Sequence, residues 1–193
     1  KRIMGTVMVN PLPVTFKIAN KAYDGTTAAT VNGITGFTAD GRLIGDQTLK
    51  YTYSSADFSQ SNVGTDLTVT VNNAVLSDGD NGGQSRNYTV SANIRPKAAI
   101  TPKALTAVFT GMNKTYNGAS DANVSFVGLN GVISGDTVFL NSTPTTGTFS
   151  DANVGTGKTV SISGLTLIGS SSGNYTIDTA TTAASITPLV LQL

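Results

Sequence analysis

Ile100-Thr101-Pro102 is the seam around which this chain of 193 residues is organised. Before it stand Tyr23-Asp24-Gly25, Gly45-Asp46, Asn62-Val63-Gly64-Thr65 and Asn87-Tyr88-Thr89. After it, in the same order, stand Tyr116-Asn117-Gly118, Gly135-Asp136, Asn153-Val154-Gly155-Thr156 and Asn174-Tyr175-Thr176. Asn10-Pro11 precedes the first copy and Ile186-Thr187-Pro188 closes the second, so the seam recurs after 91 and then 86 residues. Self-similarity at this spacing marks tandem domains and not the shorter turns of a solenoid. The expected boundaries are 1–10 for a linker or remnant of a preceding domain, 11–101 for the first domain and 102–188 for the second. Residues 189–193 are then either the second domain's final strand or the start of a third copy. A unit of about 90 residues can bury its own core, with a modest margin.

Charged residues make up 12% of the chain, about half of the ~25% usual in globular domains. All 11 acids are aspartates, which favour turns over helices. A net charge of +1, with scattered basic residues, offers no electrostatic footprint for nucleic acid. There is no run of 18 apolar residues, and Lys1-Arg2-Ile3-Met4-Gly5 is too short for a signal peptide, as expected of a piece cut from a longer protein. Cysteine and histidine are both absent, so the thiols do not report a redox compartment and a hydrolytic triad lacks its base.

The hydrophobic pattern has the period of strands. Val14, Phe16 and Ile18 alternate with Thr15 and Lys17 after the first seam, and Leu105, Ala107 and Phe109 do so after the second. Leu67 to Val71, Val160 to Ser163, Tyr88 to Val90 and Tyr175 to Ile177 alternate in the same way. Six or seven short strands per copy, punctuated by Gly, Asn and Asp, predict an all-β chain. The expected architecture is two small β-sandwich-like or β-grasp-like domains arranged end to end. The two alternatives differ in one short helix and one parallel pairing. A single helical turn has room only at Asp40–Ile44 or at Ala28-Ala29.

The recurring motifs have direct structural readings. Asp24-Gly25 and Asn117-Gly118 form tight turns, with Tyr23 and Tyr116 laying their rings on the core. Asn62, Gly64, Asn153 and Gly155 build a second turn, anchored by Phe58 and Phe149. Asn87 and Asn174 are turn residues before Tyr88 and Tyr175. Pro102 stiffens the joint by fixing φ and restricting Thr101.

Asp46 and Asp136 are the aspartates that recur in register, yet they sit in hairpin signals and not in a paired acid–base arrangement. The chain is therefore expected not to be an enzyme. Asp78-Gly79-Asp80-Asn81-Gly82-Gly83 superficially resembles a calcium loop, but Gly82 stands where a ligand is needed and no glutamate closes it, so a variable hairpin loop is the plainer reading. Lys21 and Lys114 recur with Asn62 and Asn153, which raises an isopeptide pairing against the ordinary expectation of solvated lysines. Asn87, Asn113, Asn123, Asn141 and Asn174 each begin an Asn-X-Ser/Thr triplet. For a ligand, the aromatic candidates are Phe37, Tyr51, Tyr53 and Phe139; Tyr51 and Tyr53 share a strand parity, although core packing is expected of each.

The stretches AYDGTTAATV (from Ala22), FSDANVGTGKTVSISGLTLIG (from Phe149), GNYTI (from Gly173) and the closing ASITP (from Ala184) resemble YDG-type repeat domains, relatives of the MBG domains. Such domains occur in large filamentous haemagglutinin-like surface adhesins of bacteria. Asn117 departs from the motif's aspartate but makes the same turn. The resemblance implies a secreted or cell-surface location and a stalk or spacer role, with neighbouring repeats of the same polypeptide as partners. It carries over no catalytic residues. The alternative is a module binding a surface glycan or a host protein.

Overall fold

The computed structural model describes residues 10–36, 43–91 and 95–192. The chain divides into two compact units between Thr101 and Pro102. In the first, the strands are β1 (Leu12–Ile18), β2 (Lys21–Ala22), β3 (Val31–Gly36), β4 (Leu49–Thr52), β5 (Ser55–Phe58), β6 (Gly64–Asn72), β7 (Val75–Asp78), β8 (Tyr88–Val90) and β9 (Lys97–Thr101). A three-residue 3-10 turn, Ser85–Asn87, leads into β8. The second unit repeats this order: β10 (Lys103–Gly111), β11 (Lys114–Thr115), β12 (Asp121–Asn130), β13 (Phe139–Leu140), β14 (Thr146–Phe149), β15 (Gly155–Ile162), β16 (Leu167–Ile168), a 3-10 turn at Ser172–Asn174, β17 (Tyr175–Ile177) and β18 (Ala180–Thr187). Nine strands per unit among the described residues exceed the six or seven expected, because strands of two residues leave no period-two signal to count.

In the first unit, β1 lies between β3, antiparallel to it, and β8, parallel to it. A second sheet has the order β2-β9-β6-β5, with β2 and β9 parallel, and β4 pairs with β7. Parallel neighbours need long crossover connections, which is why each of these pairs joins opposite ends of the repeat. The second unit has the same pairs, but β12 also bonds β14 through Asp121, Ala122 and Asn123, fusing its strands into one seven-stranded sheet, β11-β18-β15-β14-β12-β10-β17. At the equivalent place the first unit has an isolated bridge between Ala28 and Asp57. Ala28 therefore takes part in strand pairing and not in a helical turn, and the described part of the 40–44 stretch, Leu43 and Ile44, is not helical. The fold is almost all-β, a pair of tandem β-sandwich-like domains in which the parallel pairing is present and the helix shrinks to a 3-10 turn.

The two faces pack as the alternation demands. In the second unit Ala107 and Phe109 of β10 meet Val124 of β12, Phe149 of β14, Val160 and Ile162 of β15, and Ala184 and Ile186 of β18. Val14, Phe16, Phe58, Val69 and Ile100 are buried at the matching positions of the first unit. After Thr187, Pro188 to Gln192 carry no strand, and Leu189, Val190 and Leu191 are exposed.

One change of sheet is made by an asparagine that recurs without having been singled out in the sequence. Between β1 and β2, the Asn20 side-chain oxygen accepts the backbone N–H of Ala99 at 2.8 Å, and Asn113 accepts that of Ser185 at 2.7 Å. The crossing chain is thus fastened to β9 or β18 just where it leaves the first sheet. Because Ile100 and Ile186 on those strands are almost fully buried, Ile100→Ala and Ile186→Ala are each expected to cost their own unit ~2–5 kcal/mol, measured by chemical denaturation. A chain ending at Arg95, and so lacking β9, is expected to lose the cooperative unfolding transition that a chain ending at Thr101 retains.

Candidate functional site

The Tyr-Asp-Gly turn is a lysine-centred cap. In the first unit Gly25 has φ +79°, a conformation that glycine enters without steric cost. This lets the Asp24 carboxylate fold back to accept the backbone N–H and the hydroxyl of Thr26, each at 2.9 Å. Lys21 closes the cap: its Nζ bonds Asp24 at 2.7 Å and the Thr26 carbonyl at 2.8 Å, and sits 5.7 Å from the centre of the Phe58 ring. Tyr23 is buried and its backbone N–H donates to the Thr101 carbonyl.

The second unit keeps the cap but changes the donor of its charge. Asn117 makes the same turn, accepting the Ala119 N–H at 3.1 Å, with Gly118 at φ +77°. Lys114 bonds the Ala119 carbonyl at 2.8 Å, lies 5.7 Å from the Phe149 ring, and takes its carboxylate from Asp121 at 2.9 Å. Asp121 occupies the position of Ala28, so the loss of the acid at one place is matched by its gain four residues later. Tyr116 keeps the backbone bond, to the Thr187 carbonyl, but is exposed, a departure from the expected buried ring. Both lysines, expected to be solvated, instead turn their ammonium groups onto these caps.

The Asn-Val-Gly-Thr element starts β6 and β15 with a bulge. Register slips between Gly64 and Leu67, and between Gly155 and Lys158, around Asp66 and Gly157, which both have positive φ. The recurring glycine lies close under the side chain three residues on: a Cβ at Gly64 would stand 2.8 Å from Leu67 Cδ2, and one at Gly155 3.2 Å from Lys158 Cδ. The loop before the bulge is braced from inside. Gln60 donates to the Asn62 carbonyl at 3.3 Å, whereas in the second unit Lys158 donates to the Asn153 carbonyl at 2.9 Å and to Asp151.

Asn87 and Asn174 end the 3-10 turns, and the tyrosines after them reach across to the Gly-Asp turns. Tyr88 is buried and donates its hydroxyl to Gln47 Oε1 at 2.6 Å. Tyr175, also buried, donates to Asp136 Oδ2 and accepts the Ile133 N–H at 2.9 Å, while the Ser171 hydroxyl donates to Asp136 Oδ1 at 3.2 Å. These bonds shift the expected register by one residue. Gln47 and Asp136 donate their N–H groups to the carbonyls of Ile44 and Ile133 respectively, so Asp136 is the counterpart of Gln47 and not of Asp46. The shared Gly-Asp dipeptide is a coincidence of neighbouring turn residues.

The proposed ligand contacts separate. Tyr51 stands edge-on to buried Phe16, ring centres 5.5 Å apart, and stacks on Tyr53 at 6.3 Å; Tyr53 is exposed at the rim. Phe139, expected to pack in the core, is instead exposed, and Phe37 lies outside the described residues. The acidic loop is occupied by its own hydrogen bonds. Asp78 accepts both the backbone N–H and the hydroxyl of Ser85 at 2.7 Å, while the Asp80 and Gly83 carbonyls accept backbone N–H groups. Among the described residues no group of three or more His, Cys, Asp or Glu could hold a metal ion. The loop at Asp78 and Asp80 closes on its own hydrogen bonds.

The carboxylates of these caps are held below the ordinary aspartate range. At Asp24, desolvation works against ionisation but is outweighed by hydrogen bonds from Lys21 and Thr26; at Asp121 and Asp151 the lysine bonds lead, and at Asp78 the Ser85 bonds do. A depressed folded-state pKa contributes stability above the unfolded value of about 3.9 and loses it as pH falls through the folded value. The melting temperature is therefore expected to hold from neutral pH to about pH 5 and to fall below about pH 4; a rise on acidification would contradict these bonds. Tyr175→Phe, which strands the Ile133 N–H and removes a donor from a carboxylate, is expected to cost ~1–3 kcal/mol, against ~0.5–1.5 kcal/mol for Tyr88→Phe, compared by denaturation of the two variants.

No helix among the described residues is long and apolar enough to cross a membrane. No curated protein and no solved structure matches the chain. A family model does: the YDG domain matches twice, over residues 10–95 and 101–183. The two matches cover each lysine cap, each bulge and each Asn-Tyr pair described above. The chain belongs to the YDG domain family, as a tandem array of two such domains.

Proposed function

We propose that the pair is a length of stalk in a secreted or surface-displayed bacterial adhesin, holding another region at a distance. The observation that carries this reading is where the shared residues go. Tyr23, Asn20, Gly64, Asn87 and Tyr88, like their counterparts, serve to close turns, bulges and strand crossings inside their own unit, so what recurs is what each unit needs to stand alone. Between Thr101 at the end of β9 and Lys103 at the start of β10 there is one residue, Pro102. A one-residue connection built from proline has few conformations to lose and restricts the residue before it. Such a joint suits reach, and tandem units add length without any shared chemistry. The low charge density avoids repulsion along an array.

The exposed Tyr53, stacked on Tyr51, favours a second reading in which the first unit binds a glycan or host protein. Aromatic faces at a rim are the usual platform for such ligands. Leu140 takes the place of Tyr51 in the second unit, so this surface belongs to one copy only.

Small-angle scattering of the two-domain chain tests the stalk. The distribution of interdomain distances is expected to be narrow and to broaden in Pro102→Gly; an unchanged distribution would remove the rigid joint. A glycan array tests the alternative: reproducible hits abolished by Tyr53→Ala would move the assignment to a binding module.

A further inference from the structure

In each unit the first and last stretches of chain lie side by side and run the same way. Leu12, Pro13 and Val14 of β1 pair in parallel with Tyr88, Thr89 and Val90 of β8, and Lys21 and Ala22 of β2 pair in parallel with Ile100 and Thr101 of β9. The second unit repeats both ladders, Lys103 to Leu105 with Tyr175 to Ile177 and Lys114-Thr115 with Ile186-Thr187. Tension along the chain enters a unit at the N-terminal end of β1 or β10 and leaves at the C-terminal end of β9 or β18. In a parallel pair those two ends lie at opposite ends of the ladder, so its evenly spaced bonds are sheared and load together. In an antiparallel pair they would lie at the same end, and the bonds would open one after another.

Further polar contacts join the same two stretches. In the first unit the Asn20 side chain accepts the Ala99 N–H at 2.8 Å, the Thr101 hydroxyl donates to the Lys21 carbonyl at 3.2 Å, and the Tyr23 N–H donates to the Thr101 carbonyl at 2.8 Å. In the second, Asn113 accepts the Ser185 N–H at 2.7 Å, the Thr187 hydroxyl donates to the Lys114 carbonyl at 3.3 Å, and the Tyr116 N–H donates to the Thr187 carbonyl at 2.8 Å. Thr101 and Thr187 are the residues through which tension leaves, and each is held by both its hydroxyl and its carbonyl. The tyrosine that binds each threonine opens the motif turn, whose lysine cap fixes the end of β2 or β11. The recurring Asn, Lys, Tyr and seam Thr therefore all act where the first and last stretches meet.

We propose that each unit is a shear clamp: its parallel terminal strands bear tension applied along the chain, and the Asn, Tyr and seam Thr bonds lock them together. This role rests on the stalk reading, in which the displayed region is pulled away from the cell. Rupture by the ends requires several bonds to break in one step, and forced unfolding is governed by the rate of that step and not by equilibrium stability. A unit therefore stays folded longer under tension in this direction than in one that peels a strand.

The chain has no cysteine, so introduced cysteines give unique attachment points for single-molecule pulling at constant force. Within the two-domain chain, the second unit is pulled through Pro102→Cys with Pro188→Cys, and separately through Ser163→Cys with Thr179→Cys. Ser163 and Thr179 are exposed and stand just past Ile162 and Ala180, the last pair between antiparallel β15 and β18, so tension there opens that ladder from its end. At equal force the folded lifetime between 102 and 188 is expected to exceed that between 163 and 179 by at least about tenfold, the rate equivalent of one more hydrogen bond broken in the step. Asn113→Ala is expected to shorten the first lifetime by about tenfold and to leave the second unchanged. Equal lifetimes in the two directions, a longer one between 163 and 179, or an Asn113→Ala that alters both alike or neither, would overturn the clamp. Scattering separates this from the stalk: a narrow interdomain distribution with equal lifetimes keeps the stalk and removes the clamp, whereas a broad one with direction-dependent lifetimes does the reverse.

Discussion

Each unit depends on the return of its last strand to the middle of a sheet begun by its first turn. β9 lies between β2, parallel to it, and β6, antiparallel, and β18 holds the same place between β11 and β15. The strand carries Ile100 or Ile186, among the most completely buried side chains of the molecule. Three contacts fasten it: the asparagine that crosses from the first sheet, the backbone N–H of the motif tyrosine, and the bulge that opens with Gly64 or Gly155. Burial of the isoleucine supplies non-directional free energy, and the polar contacts select one register.

The comparison of the two units separates what the fold requires from what it tolerates. A lysine over a phenylalanine ring, closing a turn through one carboxylate, is present in both, yet the carboxylate comes from Asp24 in one and Asp121 in the other. The buried tyrosine before the last strands always finds an acceptor, Gln47 or Asp136, which differ in charge but present an oxygen at the same place. The brace below the bulge is Gln60 or Lys158. In each case geometry is kept and identity drifts, as expected where a buried or crowded donor must be satisfied by something.

The sequence bears on these sites unevenly. Tyr88 and Tyr175 stand out because their neighbours recur with them, but their acceptors do not, since Gln47 and Asp136 share neither residue type nor the register suggested by the Gly-Asp dipeptides. Asn20 and Asn113 precede the recurring lysines and could have been found by extending the motif one residue toward the N-terminus. Phe139 gave no sign of its exposure, because an apolar residue in a two-residue strand has no alternation to betray its face.

The recurrence of the motifs, the period of two in the strands and the placement of Gly, Asn and Asp determined from sequence alone that there are two copies, that they are β, where the turns fall and which family they belong to. These properties are local, set by φ preferences and side-chain alternation within a few residues. The parallel pairing of β1 with β8 and of β2 with β9, the fusion of β12 with β14 in one unit only, and the phenylalanine ring beside each lysine were decided by tertiary structure. They join residues tens of positions apart, where hydrogen-bond geometry and the space left by the core choose among neighbours that the linear order leaves equivalent.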